Sequence, residues 1–144
     1  MLCGADELGL SGERDGLMEL PEFFVTGSDF AALLSLPDEV VEFDLTPNRG
    51  DCLSITGLAR ELGVLSQTPV EFVDCEPVDP ESDETHDVYL SASEGCPCYV
   101  GRVIENVDVS RPTPIWMFER LRRSGIRSID AIVDITNYVM LELG

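Results

Sequence analysis

The basic side chains of this sequence are concentrated in one short stretch. Residues 99–127 contain six arginines and three acidic residues, a local charge of +3, whereas the first 98 residues contain three arginines and 22 acidic residues. Guanidinium groups donate hydrogen bonds to phosphate oxygens and to carboxylates. The stretch therefore predicts contacts with an RNA backbone or with a partner subunit. The candidate contact residues are Arg120, Arg122, Arg123 and Arg127.

The same arginines also have a purely structural interpretation. Arg122 and Arg123 lie just before Gly125, where the pattern predicts a helix end, and cations are favourable beside the carbonyl groups of a helix C-terminus. Trp116 could stack on a base, but an aromatic residue of this size is more often part of a core. We interpret Trp116 as a core residue, and both interpretations of the arginines stay open.

A second candidate site lies in residues 133–140, where polar residues interrupt an apolar helical pattern. They are Asp134, Thr136 and Asn137. Buried polar groups need hydrogen-bond partners. These side chains therefore either hold neighbouring loops or strands in place, or line a pocket for a small molecule.

Composition argues against several classes of function. The net charge is −19, and a chain this acidic repels polyanions as a whole, which taken alone argues against a freestanding nucleic-acid binder. No DNA partner is expected. All nine basic residues are arginine, so a phosphate-binding loop that ends in lysine is impossible. One histidine and five cysteines without zinc-site spacing predict no metal site. The apolar runs are too short to cross a bilayer, and no residue set suggests catalysis.

Hydrophobic patterning predicts helices and strands that are segregated along the chain, which is typical of the α+β class. The acid- and proline-rich segment 68–85 is the predicted linker. Asp51, Thr113 and Ser128 are the predicted N-caps of three helices. The predicted strands are 18–21, 40–45, 88–92 and 99–109, and the predicted helices are 29–34, 52–66, 114–124 and 129–141.

Several strings resemble one family, the β chain of the bacterial heterotetrameric phenylalanyl-tRNA synthetase. The resemblance extends over nearly the whole chain, in the family's order, and is weakest in residues 72–88. The strings are Met1-Leu2-Cys3 with Glu7-Leu8-Gly9, Leu45-Thr46-Pro47-Asn48-Arg49-Gly50-Asp51-Cys52-Leu53 with Gly57-Leu58-Ala59-Arg60-Glu61, Cys96-Pro97-Cys98-Tyr99 with Gly101-Arg102-Val103, and residues 125–144.

The resemblance implies three domain pieces of an internal fragment. Residues 1–37 resemble the C-terminal part of an OB-fold β-barrel that binds tRNA. Residues 38–75 resemble the second half of a small helical domain. Residues 76–144 resemble the N-terminal part of an α/β editing domain of the B3/B4 type.

The resemblance also implies the function of the complete enzyme. That ligase attaches phenylalanine to tRNA(Phe) with ATP and Mg²⁺ as an α2β2 cytoplasmic enzyme, and its editing domain hydrolyses Tyr-tRNA(Phe). Asn137 matches a position that lines the editing pocket, whereas the editing-site histidine would follow residue 144. No catalytic residue is therefore expected in this chain, which should bind neither ATP nor Mg²⁺ and should be inactive by itself.

Two alternatives to this interpretation remain. The chain could be a standalone module that binds tRNA or a partner without catalysis, supported by the arginine stretch. It could also be an acidic segment that binds only the α subunit.

Overall fold

The computed structural model describes residues 2–10 and 16–144. Met1, in the first family-like string, and residues 11–15, in the predicted OB-fold segment, lie outside the described residues. The described chain forms two compact units, Met1–Val40 and Val41–Gly144. Its α-helices are α1 (Phe30–Leu33), α2 (Ile55–Ser66), α3 (Ile115–Arg123) and α4 (Ala131–Leu143), with a 3-10 helix at Gly50–Cys52.

The first unit is built mainly from turns. Among its described residues, the buried apolar side chains are Leu10 and Leu34. The amide of Leu10 donates to the carbonyl of Ala5 at 2.8 Å. The carboxylate of Asp29 caps α1 by accepting a hydrogen bond from the amide of Ala31 at 3.0 Å. The helix predicted at 29–34 is thus present as one capped turn.

The four predicted strands are not found in the described residues, which contain no β-ladder. Val41, Val100 and Ile104 are 67%, 86% and 73% exposed, so the apolar positions of two of these segments are uncovered. A strand needs a neighbouring strand to pair its backbone groups, and no described segment supplies one. Alternation predicted which side chains would share a face, but it did not identify a partner. The α+β class, the OB-fold barrel and the three domain boundaries stay predictions.

The second unit contains three helices in contact. Helix α4 packs against both α2 and α3. The hydroxyl of Thr56 on α2 donates to the carbonyl of Glu142 on α4 at 2.7 Å. Leu121 of α3 is fully buried, and Met117 is 8% exposed. The core of this unit therefore lies at the α3–α4 contact, with α2 joined to the other end of α4.

The three long helices are present where the sequence predicts them, but all three predicted N-caps are wrong. Ser54 caps α2, because Asp51 is paired with Arg49 instead. Asp130 caps α4, accepting from the amides of Ile132 and Val133. Helix α3 has Pro114 at its N-cap without a side-chain hydrogen bond. Thr113 and Ser128, the remaining predicted caps, donate to another carboxylate described below.

Two glycines in α2, Gly57 and Gly63, lie at close contacts. A Cβ atom on Gly57 would overlap the backbone carbonyl of Asp51, and one on Gly63 would overlap the side chain of Val70. The first contact is the stricter one, because a carbonyl oxygen moves only with its backbone. Gly57 thus allows α2 to fold back against the 3-10 helix.

Replacing Gly57 with alanine is expected to lower the free energy of unfolding. Alanine is favoured over glycine in a helix by about 1 kcal/mol, whereas overpacking costs about 1–3 kcal/mol, and here backbone must move. We therefore expect overpacking near the upper end of that range and a net loss of about 2 kcal/mol, measured by urea denaturation. Gly50→Ala is the matched control, since nothing lies within 4 Å of its Cβ position. Equal stability of the two variants would contradict the prediction.

The helices in the described part of the chain are too short or too polar to cross a membrane.

Candidate functional site

Asp134 is the central polar group of the α3–α4 unit. Its side chain is fully buried. The hydroxyl of Ser128 donates to Oδ2 at 2.5 Å, the hydroxyl of Thr113 donates to the same oxygen, and the amide of Ile129 donates to Oδ1 at 3.1 Å. Burial raises the pKa of Asp134, but these hydrogen bonds outweigh burial and hold the pKa below its ordinary value. Asp134 therefore holds together the segments that precede α3 and α4. This agrees with the interpretation that the polar side chains of residues 133–140 hold neighbouring loops in place.

Glu119 holds two of the predicted contact arginines. It is 6% exposed, and both of its oxygens accept from Arg122, at 3.1 and 2.8 Å. Arg123 donates to Oε2 at 3.2 Å. Because Arg122 donates these hydrogen bonds to a carboxylate, its pKa is raised. One buried carboxylate thus holds two guanidinium groups in place.

Arg120 lies in a different environment, between two aromatic rings. Its guanidinium carbon is 5.5 Å from the ring centroid of Trp116 and 5.9 Å from that of Tyr138. Its Nη1 donates to the Tyr138 hydroxyl at 2.6 Å. The two rings meet edge to face with centroids 5.3 Å apart. We call Trp116, Arg120 and Tyr138 the aromatic platform.

The predicted core position of Trp116 is wrong, because its side chain is 52% exposed. Met117 and Leu121 occupy the buried side of α3 instead. The apolar pattern of α3 contains more large residues than its single packing partner covers. Side-chain size therefore did not identify which residue faces α4.

The other predicted site residues lie near this unit. Asn137 is half-buried on α4, directly before Tyr138. Arg127 is exposed in the α3–α4 connection. The four candidate arginines and Asn137 therefore belong to one helical pair and the loop that joins it.

The family-like string at 45–53 forms a turn closed by ion pairs. Arg49 donates to Glu61 at 2.6 Å and to Asp51 at 3.0 Å, and it contacts the sulfur of Cys52 at 3.0 Å. Hydrogen bonding from Arg49 lowers the pKa of both Glu61 and Asp51. Burial raises the pKa of the Cys52 thiol. The arrangement joins the turn to α2 and suggests a structural role for the string.

Two further features bear on ligand binding: a concave region, and the arrangement of side chains of the types that ligate metals. An open concavity of about 1240 Å³ lies between segments 78–88 and 99–106, which are not helical. Arg102 crosses it at one end by donating to the carbonyl of Val78 at 2.6 Å. In residues 2–10 and 16–144, histidine, cysteine and acidic side chains form no group of three or more that could hold a metal ion.

Comparison with known proteins covers both the α3–α4 unit and the whole chain. Residues 95–144 match the model of the B3/4 domain, which includes the aromatic platform, Asp134 and Asn137. The chain is 56% identical over all 144 residues to the phenylalanine–tRNA ligase β subunit of Idiomarina loihiensis. It is 58% and 59% identical over the same length to the β subunits of Pseudomonas putida and Pseudomonas savastanoi pv. phaseolicola.

The chain belongs to the family of phenylalanine–tRNA ligase β subunits. The family predicted from the sequence strings is thereby confirmed. The chain covers 18% of the length of each of these relatives. The B3/4 match begins at residue 95, so the string at 45–53 lies before it. The β-subunit relationship therefore extends to both ends of the chain, whereas the B3/4 domain accounts for its last third.

Proposed function

We propose that this chain acts as part of the β subunit of a phenylalanine–tRNA ligase and contributes scaffold, tRNA contacts and the first part of the editing domain. The observation that carries the proposal is identity of 51–59% to such β subunits over every residue of the chain. The B3/4 match at 95–144 supports the editing part. The complete cytoplasmic enzyme would attach phenylalanine to tRNA(Phe).

In this proposal the chain supplies position rather than chemistry. Asn137 presents a neutral amide, which can discriminate a tyrosine hydroxyl from a phenyl ring by hydrogen bonding. ATP and Mg²⁺ are proposed as cofactors of the complete ligase and are not assigned to residues of this chain. The α subunit and tRNA(Phe) are the proposed partners. Proton transfer and hydrolysis are assigned to groups outside this chain.

A chimeric enzyme tests the proposal. The matching segment of the Idiomarina loihiensis β subunit is replaced by this chain, and the product is assembled with the α subunit of the same organism. We expect the chimera to charge tRNA(Phe) with phenylalanine, because 56% identity over the segment preserves the packing it must make. Replacement of the segment with a Gly/Ser linker is the control and should abolish assembly or charging.

The 144-residue chain alone is expected to show neither charging of tRNA(Phe) nor hydrolysis of Tyr-tRNA(Phe). Turnover by the purified chain would contradict the assignment of chemistry to other segments. An assembled chimera that does not charge tRNA would contradict the role as a β-subunit segment.

The alternative is a standalone module that binds tRNA or a partner. The observation that favours it is the +3 stretch at 99–127. An electrophoretic titration of the chain against tRNA(Phe) at two salt concentrations separates the two functions, since phosphate-driven binding weakens steeply with salt. Tight binding together with an inactive chimera would favour the standalone module.

A further inference from the structure

The aromatic platform combines two groups that can bind a nucleotide, an exposed aromatic ring and a cation. Trp116 offers an indole that is 52% exposed, and Arg120 is an exposed cation next to it. Stacking on an aromatic ring accepts any base, because every base has a π-face. A guanidinium group binds phosphate through paired N–H donors. Both groups lie on one side of α3, four residues apart.

The environment of the Arg120 guanidinium group differs from that of Arg122 and Arg123. Arg122 and Arg123 share the carboxylate of Glu119, whereas the described contacts of Arg120 are the Tyr138 hydroxyl and the two rings. No described carboxylate lies within ion-pair distance of Arg120. One of its five N–H donors is used by Tyr138, so the others remain able to bind an anion.

Tyr138 fixes the orientation of Arg120. A free arginine side chain loses rotamer freedom when it is ordered. The 2.6 Å hydrogen bond and the ring contacts already restrict this side chain before a ligand arrives. If the cluster served only to join α3 to α4, the indole would be covered, and it is not.

We propose that the aromatic platform binds one unpaired nucleotide of single-stranded RNA, with the base stacked on Trp116 and the phosphate bound by Arg120. This inference rests on the proposed tRNA contacts of the chain and assigns a place and a chemistry to one of them. Tyr138 acts as a positioning residue through its hydroxyl. Recognition is tolerant of base identity, because the platform presents a ring face and a cation without an arrangement of base-reading amides.

The acidic remainder of the chain sets the expected strength. With a net charge of −19, the chain repels RNA at long range, so binding should be weak and limited to one or two phosphates. Salt dependence for single strands has a slope of about −0.7 per phosphate. An increase from ~50 to ~200 mM salt should therefore weaken binding by about three- to sevenfold.

The protein carries its own reporter, because Trp116 is its single tryptophan. Short single-stranded oligoadenylate is titrated into the 144-residue chain, with excitation at the red edge of the band, where tyrosine does not absorb. We expect saturable quenching of Trp116 fluorescence, as a base covers the exposed indole. Inorganic polyphosphate, which has the charge but no base, is expected to leave the emission unchanged.

Variants locate the interaction, and binding is then followed by anisotropy of a labelled oligonucleotide. Arg120→Gln should weaken binding roughly tenfold and Trp116→Leu about fivefold or more. Tyr138→Phe keeps the ring and removes the hydroxyl, so it should weaken binding less than Arg120→Gln. Arg111→Gln is the charge-matched control: its side chain is 81% exposed and 3.6 Å from Asp108, and it should change binding less than about twofold.

Several results would overturn the platform. They are an absence of saturable quenching, quenching by polyphosphate equal to that by RNA, or equal losses in Arg111→Gln and Arg120→Gln. Circular dichroism of each variant excludes misfolding as the cause of a loss. If the chimera charges tRNA while RNA leaves Trp116 unaffected, the platform is wrong and the proposed function stands. If instead the chimera is inactive while RNA quenches Trp116 saturably, the proposed function is wrong and the platform stands.

Discussion

Replacing Asp134 with alanine is expected to lower the free energy of unfolding by about 3 kcal/mol or more. The substitution leaves the hydroxyls of Thr113 and Ser128 and the amide of Ile129 without their acceptor, beside a side-chain position that is fully buried. Hydrogen bonds to a charged group contribute about 1.5–3 kcal/mol each, and water cannot easily replace them here. Urea denaturation followed by Trp116 fluorescence measures the effect.

Asp130 provides the matched control, because it lies on the same helix and also accepts backbone hydrogen bonds. It caps the exposed N-terminus of α4, and loss of an N-cap costs about 1 kcal/mol. Asp134→Asn should have an intermediate effect. Its amide keeps one oxygen acceptor but places an NH₂ donor opposite groups that themselves donate to Asp134. If Asp134→Ala were no more destabilising than Asp130→Ala, the central role of Asp134 would be wrong.

The same carboxylate makes stability depend on pH in a defined direction. The folded-state pKa of Asp134 lies below its ordinary value of 3.8, so its contribution is fully present above about pH 4. That contribution decreases as pH falls through the lower, folded-state pKa, because the unfolded chain takes up the proton first. Asp134→Asn should therefore lose part of the acid sensitivity of the parent protein.

Local patterns predicted the helical part of this fold. Helical spacing of apolar residues predicted α2, α3 and α4, and Gly125 ends α3 in a left-handed conformation as expected (φ 76°). The close approach of Gly57 to the carbonyl of Asp51 is also local, since the two residues are six positions apart. These features depend on residues within a few positions of one another, which a sequence displays directly.

Features that depend on distant residues could not be predicted in the same way. Ser128 and Thr113 have the right chemistry for N-caps, but the buried Asp134 is a stronger acceptor for both hydroxyls. The pairing of Glu119 with Arg122 and Arg123 could have been inferred from the i,i+3 and i,i+4 spacing. The contact between Trp116 and Tyr138 joins two helices, and helical periodicity alone contains no signal for it.

Replacing Asn137 with alanine in the chimeric enzyme is expected to reduce hydrolysis of Tyr-tRNA(Phe) by about 10- to 100-fold. A site built to hydrogen-bond a substrate hydroxyl loses discrimination when its polar partner is removed. Asn137 is half-buried, so part of its side chain is accessible to a substrate. Release of tyrosine from mischarged tRNA measures editing, and phenylalanine charging by the same enzyme should be unchanged.

Thr136 is the matched control for this prediction. It directly precedes Asn137 on α4, is exposed, and its hydroxyl donates to the backbone carbonyl of Val133 at 2.7 Å. Thr136→Ala should therefore leave editing and charging at the level of the parent chimera.

Because Asn137 lies on the helix that Asp134 anchors, Asp134→Asn should also slow editing, through misplacement of α4. If Asn137→Ala hydrolysed Tyr-tRNA(Phe) at the rate of the parent chimera, the prediction that the Asn137 amide lines the editing pocket would be wrong. Helix α4 would then have only a structural role in this segment.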